Sequence, residues 1–195
     1  TNNGIVVMNT PLGNVQATAE LTFGIMHSLM RKISNANQSM HQKKWEKKKF
    51  IGNEMYGKTI GIIGFGNIGK KVSQIAHAYG MNVLVYSASI SPEDEKKFNV
   101  TNQSIDDILE GADIITFHNK LSENSKYLIN SNAITKMKKN AIIINCARGG
   151  LVNEKDIKDA LEKRYIAGYG CDVYENEPEQ DSIFSSMDNV VMTPH

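Results

Sequence analysis

The sequence predicts a doubly wound α/β domain, a parallel sheet with helices on both faces. Two features of the 195-residue chain carry that expectation. Segments of strand character and segments of helical periodicity alternate from about residue 59 onward. The strand segments are also apolar without interruption, as in Thr59–Gly64 (TIGIIG) and Ala141–Asn145 (AIIIN). A strand buried on both faces reads this way, whereas a strand with one wet face alternates.

The elements follow in order. Residues 4–9 (GIVVMN) read as a short β-branched strand bounded by Gly4 and Pro11. From Ala17 to about Ile33 the apolar residues Leu21, Ile25, Leu29 and Ile33 recur every four positions, which predicts a helix. Residues 34–58 are polar and basic, and their run Lys43–Lys49 reads as a solvated connector. Thr59–Gly64 is a strand. Asn67–Tyr79 is a helix with Ile68, Val72, Ile75, Ala76 and Tyr79 on its inner face and Gly80 as its stop. Strands follow at Asn82–Tyr86, Ala112–Phe117, Ala141–Asn145, Ala167–Val173 and Asn189–Met192. Helices are expected at Ser104–Leu109, 131–139 and Glu154–Arg164, the last facing inward with Ile157, Ala160 and Leu161. Residues 1–195 are therefore read as one nucleotide-binding domain, with 1–35 as a strand–helix extension and 36–58 as a basic connector.

Composition narrows the function classes. With 22 Lys+Arg against 21 Asp+Glu the formal net charge is +1, which argues against a nucleic-acid binder. No apolar run approaches the roughly 20 residues that span a bilayer, and no charged segment precedes an apolar one at the N-terminus. Cys146 and Cys171 sit in apolar stretches, so a reduced buried pair and a cytoplasmic setting are expected. The chain opens at Thr1 and closes at Thr193-Pro194-His195 directly after an apolar run, and it reads as a segment of a larger protein.

Gly64-Phe65-Gly66-Asn67-Ile68-Gly69 fits G-x-G-x-x-G, and it leaves an expected strand to open an expected helix. In such a turn Gly64 permits the tight bend, Gly66 lets backbone approach a pyrophosphate and Gly69 lets the helix pack on the strand. The helix N-terminus adds free N–H groups and positive dipole for the phosphates. An acid usually follows about 20 residues on, bonding the ribose of NAD. Ser87 occupies that place here, in Tyr86-Ser87-Ala88-Ser89, so NAD and NADP both stay open.

Three later strand ends deliver further chemistry. The segment Asn145-Cys146-Ala147-Arg148-Gly149-Gly150 puts an arginine at a carboxyl strand end, where doubly wound sheets bind ligands. A guanidinium there can grip a carboxylate at two points. The next strand leads to Asp172-Val173-Tyr174-Glu175-Asn176-Glu177-Pro178, and the last to His195. A histidine beside a carboxylate is a common general acid/base pair, because the anion fixes the ring's tautomer.

The segments GKTIGIIGFGNIGKKV (57–72), INCARGGLVNE (144–154), GCDVYENEP (170–178) and the final TPH together resemble the cofactor-binding domain of the D-isomer-specific 2-hydroxyacid dehydrogenases. The stretches at 9–22, 44–59 and 90–98 most resemble the branch of that family acting on 3-phosphoglycerate. The resemblance implies a Rossmann-type fold, NAD as cofactor, a 2-hydroxy acid as substrate, a homo-oligomer and no need of a metal. It implies Arg148, Glu177 and His195 as the catalytic set. Asn67 and Ile68 would contact the pyrophosphate, and Ser87 would lie near the adenosine ribose. Asn119, Cys146 and Ala147 would line the nicotinamide side, and Asp172 would meet the carboxamide. The family often has Arg where Asn67 stands and Pro where Lys120 stands. Two other readings are a glyoxylate or hydroxypyruvate reductase using NADP, which Ser87 favours, and a corepressor-like NAD-binding protein without turnover. The run Lys43–Lys49 could help hold a substrate phosphate across a dimer interface. With no substrate domain in the sequence, this segment alone is expected to be inactive.

Overall fold

A computed structural model describes residues 4, 8, 10 and 12–195. The strand expected over 4–9 falls almost wholly outside them. The described residues form a seven-stranded sheet: β1 (Thr59–Ile63), β2 (Asn82–Tyr86), β3 (Thr101–Asn102), β4 (Ile114–Phe117), β5 (Ile142–Asn145), β6 (Gly168–Cys171) and β7 (Val190–Met192). Their order is β3-β2-β1-β4-β5-β6-β7, and each neighbouring pair is parallel. The order reverses between β1 and β4, so the carboxyl ends of those two strands open a crevice at the switch point.

The uninterrupted apolar strands are explained by two cores. Ile60, Ile62, Ile142 and Ile144 point to one face, under helices α1 (Val15–Met30) and α3 (Asn67–Ala78). Ile63 and Ile143 point to the other, under α5 (Ile105–Gly111), α6 (Ser131–Lys136) and α7 (Glu154–Glu162). Side chains alternate across a strand, so both parities must be apolar when both faces are covered. Each fully buried isoleucine contributes about 1.5–3 kcal/mol relative to exposure. Gly61 of β1 is small because a Cβ there would stand 2.4 Å from Ile108 Cγ2 of α5.

Several boundaries differ from the sequence reading. The N-terminal helix ends at Met30, and α2 (Ile33–His41) restarts after Lys32 in a left-handed conformation. Residues 36–41, expected in the connector, are therefore helical. On α1 the buried residues are Ala19, Thr22, Phe23, Ile25, Met26 and Met30, while Leu21 is at the edge of exposure. A row taken strictly every four residues drifts around a helix of 3.6 residues per turn, which carries Leu21 off the buried stripe, while Ile33 lies beyond the break at Lys32 and opens α2, half exposed. Tyr79 is likewise exposed in part; its ring stacks on Phe23 and its hydroxyl lies 2.8 Å from His27 Nε2.

A further helix escaped the periodicity. α4 (Pro92–Phe98) is capped by Ser91, whose Oγ accepts from the Asp94 N–H at 3.1 Å, with Pro92 in the first turn. Its signal was the cap and not an apolar stripe. The expected inward set Ile157, Ala160 and Leu161 is buried as read.

Candidate active site

The glycine turn lies at the carboxyl end of β1. Gly64 has φ +99°, and a Cβ on it would stand 2.5 Å from the Asn119 backbone nitrogen after β4. A Cβ on Gly69 would stand 2.2 Å from Gly64 O. Gly66 differs: a Cβ there meets nothing within 4 Å. It is also the N-cap of α3, with no side chain bonded to the helix's first N–H groups. Bare backbone, open space and helix dipole meet at one point, as a pyrophosphate requires. Asn67 and Ile68 form the first turn of α3.

Ser87 follows β2. Its N–H donates to Asn102 Oδ1 at 3.1 Å, and its Oγ accepts from the Ser89 N–H at 3.4 Å. No acid stands at that strand end. Asn119, after β4, donates through Nδ2 to Lys120 O at 3.1 Å, while its Oδ1 is buried and finds no partner among the described residues. An acceptor in that condition calls for a donor, and a carboxamide would supply one. The residues present thus fit a dinucleotide.

Farther along the edge, β5 delivers Cys146, Ala147 and Arg148. Cys146 is buried in the core beside Thr22 of α1, where loss of hydration pushes its thiol up to about 12. Its side chain is committed to packing. Ala147 accepts through its carbonyl from Arg148 Nη1 at 2.5 Å. Asp172 closes β6; it is buried and accepts from Thr193 Oγ1 at 2.5 Å.

His195 Nδ1 lies 2.7 Å from Glu177 Oε2. A carboxylate only accepts, so Nδ1 carries the hydrogen and Nε2 is left for a ligand. The bond from His195, then the N–H of Tyr174 at 3.0 Å on Oε1, hold the Glu177 carboxyl below its ordinary range. Arg148, Glu177 and His195 border one hollow of about 250 Å³, with Leu121, Gly149 and Tyr174. It adjoins a cleft of about 620 Å³ that Glu177, His195 and Thr193 also line.

The supporting residues were not singled out from sequence. Tyr174 gives its hydroxyl to Thr193 O at 2.9 Å, tying the loop after β6 to the end of β7. Glu154 and Glu175 exchange bonds: the N–H of each donates to Oε1 of the other, at 3.2 and 3.0 Å. Burial, with Glu175 and Glu179 nearby, raises the Glu154 carboxyl above its ordinary value. These residues lie inside the segments that carried the resemblance, but bonds to backbone leave no pattern of their own. The basic run lies elsewhere. Lys49 and Phe50 border a hollow with Ile142 and Gly168, at the amino ends of the strands, so the run stands at the sheet edge opposite this chain's own site.

The model of the D-isomer specific 2-hydroxyacid dehydrogenase NAD binding domain matches residues 23–195. The chain belongs to the D-isomer-specific 2-hydroxyacid dehydrogenases. Within that family it is 43% identical over 195 residues to D-3-phosphoglycerate dehydrogenase of Bacillus subtilis, covering 100% of this chain and 37% of that protein. It is 38% identical over 202 residues to glyoxylate reductase of Thermococcus kodakarensis, covering 100% of this chain and 61% of that one. The NAD+ complex of D-lactate dehydrogenase from Lactobacillus jensenii superposes with TM-score 0.86 at 34% identity, over 100% of this chain and 62% of that one. The chain therefore spans less than two thirds of each of these dehydrogenases, and little more than a third of the phosphoglycerate enzyme. What it holds is the family's NAD-binding domain, and among the described residues no helix is long and apolar enough to cross a membrane.

Proposed function

We propose that this chain is the cofactor-binding part of a cytoplasmic, NAD-dependent dehydrogenase that oxidises 3-phosphoglycerate to 3-phosphohydroxypyruvate, the entry to serine biosynthesis. The observation that carries it is the seating of His195 on Glu177, beside Arg148, along the same sheet edge as the glycine turn. The choice of substrate rests on the 43% identity to a phosphoglycerate enzyme.

Gly64, Gly66, Asn67, Ile68 and Gly69 hold the pyrophosphate, and Ser87 meets the adenosine ribose. Asn119, Ala147, Arg148 and Asp172 surround the nicotinamide end, with Cys146 supporting that wall from the core. When bound, NAD supplies the acceptor for the hydrogen on the alcohol carbon. His195 takes the hydroxyl proton on Nε2 and returns it in the reverse direction. Glu177 holds the ring so that Nε2 faces the substrate. Arg148 grips the carboxylate and favours charge developing on the C2 oxygen. The unit works as a homo-oligomer. Trp45, Ile51 and Tyr56, each more than 70% exposed, offer apolar surface for a second copy.

Ser87 and the 38% identity to a glyoxylate reductase favour a second reading, reduction of glyoxylate with NADPH. A longer protein containing this chain decides between them, assayed with 3-phosphoglycerate and NAD+ and with glyoxylate and NADPH. The first pair is expected to turn over faster. His195→Ala should then lower kcat about 10²–10⁴-fold with the Kd for NAD+ retained. Undiminished kcat in that variant removes His195 from the proton transfer.

A further inference from the structure

Asn145 ends the apolar strand β5 (Ile142–Asn145) and is fully buried, at 0% exposure. An amide in such a place is costly unless both of its ends are bonded. Here both are, and both to the turn that follows. Nδ2 donates to Arg148 O at 2.9 Å, and Oδ1 accepts from the Ala147 N–H at 3.2 Å. Arg148 O accepts a second bond, from the Leu151 N–H at 3.2 Å. The next residue, Gly149, is pressed so closely on the Tyr174 backbone that a Cβ would lie 1.9 Å from Tyr174 O. The backbone of Arg148 is thus held from the strand, from the turn ahead and from the Tyr174 loop, while its side chain remains exposed.

We infer that Asn145 is a positioning residue that fixes Arg148 against the Glu177–His195 pair. The inference rests on the role given above to Arg148. Asparagine suits the task because one short side chain offers a donor and an acceptor to its own following backbone. Alanine offers neither, and serine is too short to span to Arg148 O while still meeting Ala147. Aspartate would bring a charge into a fully buried position.

The test uses a longer protein containing this chain, with Asn145→Ala, Arg148→Ala and the double substitution. Asn145→Ala is expected to lower kcat/KM for 3-phosphoglycerate by about 10²-fold, the scale on which a displacement of about 1 Å acts. The Kd for NAD+ should stay within about threefold, well under 1.4 kcal/mol. In the Arg148→Ala background the same change should cost nothing further, because residues acting through one another are not additive. A loss that adds in full to that of Arg148→Ala overturns the inference, as does an undiminished kcat/KM in the single variant. Asn145→Ser serves where the alanine variant does not fold. A spectroscopic arm is independent of turnover. In ¹⁵N–¹H spectra of the NAD-loaded protein, the Ala147 amide and the Arg148 Nε–H should move in Asn145→Ala or Asn145→Ser while the Gly66 and Gly69 amides do not. If wild type turns over no hydroxy acid the proposed function fails, and the spectra still decide whether Asn145 holds Arg148. Unmoved Ala147 and Arg148 signals sink the inference.

Discussion

At Gly66 the backbone is exposed to the space that a phosphate would fill, and among the described residues no atom lies within 4 Å of an added Cβ. Gly66→Val should therefore leave the sheet intact and weaken NAD+ at least tenfold, about 1.4 kcal/mol or more. Calorimetry on the folded variant reads this, and an unchanged Kd would place the dinucleotide elsewhere. Glu154 makes a different case. Its carboxyl is raised first of all by burial and then by its acidic neighbours. A raised carboxyl in the folded state stabilises below its unfolded value and loses that contribution as pH rises past the folded one. Gln keeps the acceptor for the Glu175 N–H and sheds the charge. Glu154→Gln should therefore melt higher than wild type at pH 7–8, the gap closing as pH falls through the carboxylate range. A gap that is constant with pH would mean that the charge is not what strains this position.

The loop from β5 into the short helical turn Gly149–Leu151 shows how an element enforces the site. Gly149→Ala would drive a Cβ into the Tyr174 carbonyl. Such overpacking costs about 1–3 kcal/mol, a fall in Tm of about 2–4 °C per kcal/mol for a chain of this size. Arg148 moves with the loop, so kcat/KM should fall by more than the lost stability explains. Comparing Tm with kcat/KM in the one variant tests it. Six of the seven strands were legible at this scale, because two covered faces demand apolar residues of both parities, as Ile142, Ile143 and Ile144 show; β3, two exposed polar residues, carries no such signal. Arg148, an acid cluster and His195 were legible as neighbours because topology brings strand ends together, whereas the choice of Glu177 within that cluster came from the family resemblance. α4 was not, since Ser91 and Pro92 define it by capping and none of its residues is buried. Asn145 was hidden for a related reason. Its partners are backbone atoms, and backbone is the same at every position.

Across the whole molecule the work is divided along the sheet. The glycine turn leaves β1, a central strand with β2 and β4 on either side, whereas His195 follows β7, three residues long at the sheet's edge. Among the described residues β7 pairs with β6 alone, through the registers Tyr169↔Val190, Gly170↔Val191 and Cys171↔Met192. Local opening starts where backbone bonds are fewest, so heat should reach the two halves of the function at different temperatures. On warming, the proposed proton carrier would leave its post while the dinucleotide remains bound. Turnover by the longer protein should decline several degrees before NAD+ is released, and it should recover fully on cooling from that interval. Simultaneous loss of both would show that the edge strand melts only with the centre. Where the separation holds, the temperature ceiling of catalysis is set by three residues at the rim and not by the isoleucine core.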